Sequence, residues 1–282
     1  MTPLRHLVLL LLASLAATPA PAQPPKPLAN RNVRYGMPGE AKADPEASRD
    51  AYLIERPQYV MSYNEKRHSA NWVCWHLTKT DIGNTARGAF EEDPELPKAF
   101  KRVQHGTYSG SGFDRGHLCP SKDRSKTPED NDAVFLMSNM LPQSPNCNQK
   151  GWERLESYCR DLADKGKELY VVAGGHGIGD VDDDGKKKLT IGRNAPFVTV
   201  PAAVWKVILV LDKGTNPNAR SRAIAVWMPN DNTVTDEWPK YRVPVAEVEK
   251  NTGYKFWPLL PDDVAKAIKD KADAVKVVVP QK

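Results

Sequence analysis

Asn148-Gln-Lys-Gly-Trp-Glu-Arg-Leu-Glu-Ser-Tyr-Cys-Arg160, continued by Asp161-Leu-Ala-Asp164, decides how this chain is read. Advancing about 100° per residue from Asn148 puts Leu155, Leu162 and Tyr158 at about −20°, −40° and −80°, an apolar stripe. Lys150, Glu153, Arg154, Asp161, Asp164 and Lys165 gather opposite. Trp152, Glu156 and Arg160 fall at about 40°, 80° and 120°, along the border between the faces. The spacing predicts one amphipathic helix over 148–164, packed on one side, with its border free to face a cleft. Asn146, with Gln149 three residues on, predicts an N-cap and a capping box.

Outward from that helix, aromatic and β-branched runs predict strands at Tyr59–Tyr63, Trp72–Leu77 and Val134–Met137 before it. After it come Leu169–Ala173, Phe197–Val200, Val204–Leu211 and Ala223–Met228. Residues 81–97 and 142–146 read as loops, and Ser109-Gly-Ser-Gly112 as a flexible approach to Asp114-Arg-Gly-His117. The strands are joined by loops and not by regular helices, which argues against βαβ crossovers. The expected fold class is α+β: a mainly antiparallel central β-sheet flanked by helices. One domain is expected over 51–262. Pro- and Ala-rich residues 23–50 read as a linker ahead of it, and 263–282 as a C-terminal helix and tail, with helical pattern from Asp262 to Val275.

Arg5 and His6 precede the apolar run Leu7–Leu15, and Ala20-Pro21-Ala22 has the small-x-small form of a signal peptidase site. Residues 1–22 therefore read as a signal peptide, with mature protein starting near Gln23 and a secreted or periplasmic location. The run is too short for a membrane span of the mature protein, and no later segment is long and apolar enough. Residues 1–22 hold one Arg and no acid, so their removal takes the formal charge from +5 to +4. That balance permits a polyanionic partner without requiring one.

Export permits disulfides among Cys74, Cys119, Cys147 and Cys159, and the absence of a CxxC pair argues against zinc. On a 148–164 helix, Cys147 and Cys159 stand about 18 Å apart, beyond the roughly 7 Å Cα separation that a disulfide tolerates. Cys74–Cys147 with Cys119–Cys159, Cys74–Cys159 with Cys119–Cys147, and free thiols all remain open.

The chemistry concentrates in Asp114-Arg-Gly-His117 and the helix. Neutral imidazole at His117 is a competent general base for water. Arg115 beside it, with Arg87 as a weaker candidate, suits the nonbridging oxygens of a phosphodiester. Asn148 offers an amide oxygen that suits a hard ion such as Mg²⁺, which needs few protein ligands. Glu156 could orient a water on that ion, and Arg160 could reach a phosphate.

These residues carry a resemblance. Asp114-Arg-Gly-His-Leu-Cys-Pro-Ser121, Ser138-Asn-Met-Leu-Pro-Gln143 and Asn148-Gln-Lys-Gly-Trp-Glu-Arg-Leu-Glu156 resemble the DNA/RNA non-specific endonucleases of the ββα-metal (His-Me finger) group, over about Tyr52 to Pro261. Trp205-Lys-Val207 and its neighbouring strands also fit. The resemblance implies a ββα-metal active-site motif and hydrolysis of DNA and RNA with 5′-phosphate products. It implies His117 as general base and Asn148 as the one direct protein ligand to Mg²⁺, with Mn²⁺ able to substitute. Arg115 matches a phosphate-binding arginine, Glu156 the acid that holds metal-bound water, and Arg160 an arginine at the leaving phosphate. Asn139 matches an active-site amide. Arg87 fits with slightly altered spacing to Asp93-Pro94. Where the family form has an asparagine four residues before Asn139, this chain has Phe135.

Two readings of other classes stand beside this one: a catalytically inactive nucleic-acid-binding protein on the same fold, and a phosphodiesterase for small nucleotides. The sequence leaves a homodimer and an inhibitor partner open. Asp180-Val-Asp-Asp-Asp-Gly185 resembles the start of a calcium loop, but Ile191 stands where a bidentate Glu is required, which favours an acidic hairpin tip. Trp152, Trp205 and Trp227 read as core more readily than as base-stacking platforms.

Overall fold

The computed structural model describes residues 28–181, 184–194 and 196–279. The expected signal peptide lies outside the described residues, as does part of the Asp180–Gly185 loop. The chain opens with β1 (Tyr52–Glu55), β2 (Val60–Asn64) and β3 (Ser69–Leu77). A long excursion then holds β4 (Asp114–His117), α1 (Pro128–Val134), β5 (Met140–Gln143) and α2 (Glu153–Asp164). Then come β6 (Lys167–His176) and four two-residue strands, β7 (Asp180–Val181), β8 (Lys187–Lys188), β9 (Thr190–Ile191) and β10 (Val198–Thr199). The chain continues through β11 (Ala203–Asp212), β12 (Arg222–Pro229), α3 (Val245–Thr252) and α4 (Asp262–Lys269). No helix among the described residues is long and apolar enough to cross a membrane.

The central sheet has six strands in the order β1-β2-β3-β6-β11-β12, and every neighbouring pair is antiparallel. The fold is α+β, as expected. Side chains alternate across a strand, so each strand feeds two cores. On β11, Val204, Ile208 and Val210 join the core under α2, while Trp205, Val207, Leu209 and Leu211 join the core under α3 and α4. The excursion between β3 and β6 crosses the first face only. There β4 and β5 pair as a two-stranded ribbon, and α2 comes after it, giving the ββα arrangement. Gly116 is required in that ribbon: a Cβ there would meet Gln143 Oε1 at 1.8 Å.

Several expectations are corrected. Residues 28–50 are not a free linker, because Val33, Tyr35 and Ala41 are buried in the second core. Val134–Met137 is not a strand. Thr127 Oγ1 accepts from Asp130 N and Pro128 opens α1, so Val134 ends a helix and Phe135 caps it. The helix through Asn148 is not one α-helix: Cys147–Trp152 is a π-helix that leads into α2. Asn146 makes no cap; its amide donates to Asn232 O, and Gln149 donates to Asp114 instead of closing a box. The wider π turn breaks the 3.6-residue phase, so Trp152 is buried at 1 % exposure and does not border a cleft. The terminal helix stops at Lys269.

None of the four cysteines is in a disulfide, and all four are buried. The sheet separates Cys74, which faces the second core, from Cys119, Cys147 and Cys159, which face the first.

Candidate active site

Strand β4 and the π-helix meet at Asp114. Its Oδ2 accepts from Asn148 Nδ2 at 2.9 Å and from Gln149 Nε2 at 2.8 Å. An ionised carboxylate can only accept, so it fixes the Asn148 amide with the nitrogen inward and leaves Oδ1 for a cation. Sequence reading singled out Asn148 but gave Asp114 no role. Among the described residues no cluster of three or more His, Cys, Asp or Glu could hold a metal. An amide oxygen such as that of Asn148 is a hard donor, of the kind that hard cations take.

Two residues along β4 from Arg115, His117 is half-buried between two phenyl rings. Phe135 meets it edge-on at 4.8 Å and Phe90 lies at 5.8 Å. Its Nε2 is buried without a hydrogen-bond partner. Burial, reinforced by the positive charge of Arg87, pushes its pKa down to about 3, so the ring is neutral across ordinary pH. Each phenyl ring also carries an arginine: Arg87 lies over Phe135 at 5.0 Å and Arg115 over Phe90 at 5.2 Å. Phe135, the departure from the family form, thus touches His117 and seats Arg87.

The backbone around His117 is pinned from two sides. Trp152 Nε1 donates to His117 O at 3.2 Å. Asn139 is fully buried; its Oδ1 accepts from Cys119 N and its Nδ2 donates to Cys119 O and Val134 O. Asn139 therefore sits outside the cleft and braces the turn after His117. Ser138 in turn bonds Asp93, which is buried in an ion pair with Arg56 at 2.6 Å.

Arg115 is held by His105 O through Nε and Nη2, at 3.1 and 2.7 Å, which leaves Nη1 for a ligand. On α2, Glu156 bonds Lys206 Nζ at 3.2 Å, and Arg160 pairs with Asp123 at 3.2 Å. Burial raises the Glu156 pKa, while Lys206 and Arg160 oppose the rise. Asp123, beside Glu156, pushes the same way as burial.

These parts converge. Arg87, Arg115, His117, Asn148, Glu156 and Arg160 all line one open cleft of about 420 Å³, joined by Lys122 and Glu153 among others. Every residue singled out from sequence is there except Asn139. Four cations against two carboxylates make the cleft basic, which suits a phosphate backbone. Lys206 was missed as a partner of the site, although a single lysine in the apolar run Ala203–Leu211 was a visible signal.

The match to known proteins runs through the same residues. Residues 41–263 match the model of the DNA/RNA non-specific endonuclease family. A nuclease of Nostoc sp. is 43% identical over 229 residues, spanning 79% of this chain and 80% of that protein. Mitochondrial endonuclease G of Homo sapiens is 31% identical over 235 residues, spanning 80% of this chain and 73% of that protein. A solved structure of an EndoG/EndoGI complex, which addresses the mechanism of EndoG inhibition, aligns with a TM-score of 0.69 at 27% identity. That alignment covers 86% of this chain and 96% of the other. The chain belongs to the DNA/RNA non-specific endonuclease family. It is an enzyme of the nuclease class, acting on nucleic acids.

Proposed function

We propose that this enzyme is an endonuclease that hydrolyses phosphodiester bonds in both DNA and RNA, with His117 as general base and a divalent cation, Mg²⁺ or Mn²⁺, held by Asn148. The observation that carries the reading is the Asp114–Asn148 contact, which turns an amide oxygen toward the cleft that His117 shares. When bound, the cation would stabilise charge developing at the phosphoryl oxygens. The chain's own residues do the rest. The neutral imidazole takes a proton from the attacking water. Because Nε2 is sealed, Nδ1 is the nitrogen left for that proton. Arg115 Nη1 and Arg87 engage nonbridging oxygens of the substrate. Glu156, ion-paired with Lys206, would accept hydrogen bonds from waters near the cation, and Arg160 would steady the phosphate that departs.

Recognition through phosphate and not through base edges accounts for a lack of sequence preference and implies binding that weakens steeply with salt. The leader pattern at residues 1–22 supports action outside the cytoplasm. The test is nicking of supercoiled plasmid and degradation of RNA by pure protein, with EDTA and with a series of divalent ions. Cleavage of both polymers that EDTA stops and Mg²⁺ restores is expected. Activity on bis-p-nitrophenyl phosphate with none on plasmid or RNA would replace polymer by small phosphodiesters as substrate.

A further inference from the structure

Lys206 is a charged residue in the middle of the sheet. By strand alternation it points with Val204 and Ile208 toward the core under α2, and it is only 1 % exposed. A buried ammonium without compensation is costly, and lysine is seldom fully buried unless paired. Its compensation is specific. Nζ lies 4.1 Å from the centroid of the Trp152 ring and 5.5 Å from that of Trp75. Its charged partner is Glu156 Oε1 at 3.2 Å, on a carboxylate side chain 12 % exposed that faces the cleft. The indole that supports the ammonium is the one that donates to His117 O.

We propose that Lys206 is a positioning residue for the reaction: from beneath the site, its ammonium holds the Glu156 carboxylate in place. This rests on the role given above to Glu156. The other ionisable groups around that carboxylate cannot substitute for Lys206. Arg160, also on α2, is committed to Asp123 at 3.2 Å, and Asp123 itself repels Glu156. The Cys119 and Cys159 thiols are buried and held neutral. Lys206 is the largest influence opposing protonation of Glu156, ahead of Arg160.

A cycle of three variants tests this: Lys206→Met, Glu156→Gln and the double variant. Methionine keeps an unbranched apolar side chain, with a sulfur suited to aromatic neighbours, while removing the charge. Lys206→Met is expected to lower kcat roughly 10- to 100-fold with little change in KM, as loss of a supporting partner does. Its acid limb of kcat should move to higher pH, because Glu156 loses the charge that opposes its protonation. The double variant should be no slower than Glu156→Gln alone, and should melt above Lys206→Met because no unpaired charge is left buried.

If Lys206→Met folds poorly, the comparison of Glu156→Gln with the double variant still decides. A further loss of rate in the double variant overturns the proposal. Wild-type kcat and pH profile in Lys206→Met also overturn it while leaving the reading of the site intact. Full activity in Glu156→Gln overturns both.

Discussion

On β11, Trp205, Val207, Leu209 and Leu211 meet an apolar layer built from α3, α4 and residues 33–41, whereas Val204, Lys206, Ile208 and Val210 lie under the excursion that bears the cleft. The strands are the same and the two faces differ in what they tolerate. The face under α3 and α4 is closed mainly by hydrophobic side chains such as Val248, Phe256, Val264 and Ile268, with a part-buried ion pair, Lys269–Glu249, between the helices. The face under the cleft buries Arg56, Asp93, Asp123, Asn139, Gln143 and Lys206 among its apolar residues. Most of these are paired: Arg56 with Asp93, Arg160 with Asp123, Lys206 with Glu156. The apolar face contributes stability. The other gives up part of that contribution to hold buried charges beneath the excursion, Lys206 under the cleft among them, and each buried charge needs its partner for the face to remain packed.

Substitutions on the two faces should separate activity from stability. The largest effect on rate is expected from Asn148→Ala, which should bring plasmid nicking to background in saturating Mg²⁺ with the melting temperature nearly unchanged. Asp114→Ala comes next. It frees the amide to rotate and should raise the Mg²⁺ concentration for half-maximal activity by roughly 10- to 100-fold. On the opposite face, Leu209→Ala should destabilise the protein by about 2–5 kcal/mol in denaturant melts while the rate per folded molecule stays at the wild-type value.

A further expected effect is a shift of stability with pH. Because the His117 pKa is pushed down to about 3 by burial and by Arg87, the folded protein excludes a proton that the unfolded chain takes up near pH 6.5. Stability linked to this group is complete above that pH and is lost as the pH falls from about 6.5 toward about 3. His117→Ala should therefore lose less stability than the wild type across that window. The same depression means that any fall of kcat/KM between pH 7 and 5 arises from groups other than the protonation of His117 in the free enzyme.

The sheet and the site were legible to different depths. Strands such as Val204–Leu211 and Leu169–Ala173 were readable because both of their faces are buried, which makes them nearly continuous apolar runs. The cleft residues were readable because reactive types stand at fixed spacing in the Asp114–His117 and Asn148–Arg160 segments. Contacts made at a distance were not. The π turn at Cys147–Trp152 has no periodic signature of its own, so the wheel placed Trp152 at a border when it is core. Asn139 has the composition of a site residue, yet three backbone partners at Cys119 and Val134 occupy it. Val134–Met137 has strand composition, but Thr127 and Pro128 start a helix that ends there. Residues 28–50 lack periodicity because they pack as an irregular layer and not as an amphipathic element.

The assignment of His117 as base is tested most directly by measuring plasmid cleavage and duplex binding on the same preparation of His117→Ala. Loss of cleavage by at least roughly 10²-fold is expected, the lower end of what a general base contributes, with duplex affinity and melting temperature retained. Cleavage by the pure variant at close to the wild-type rate would contradict it.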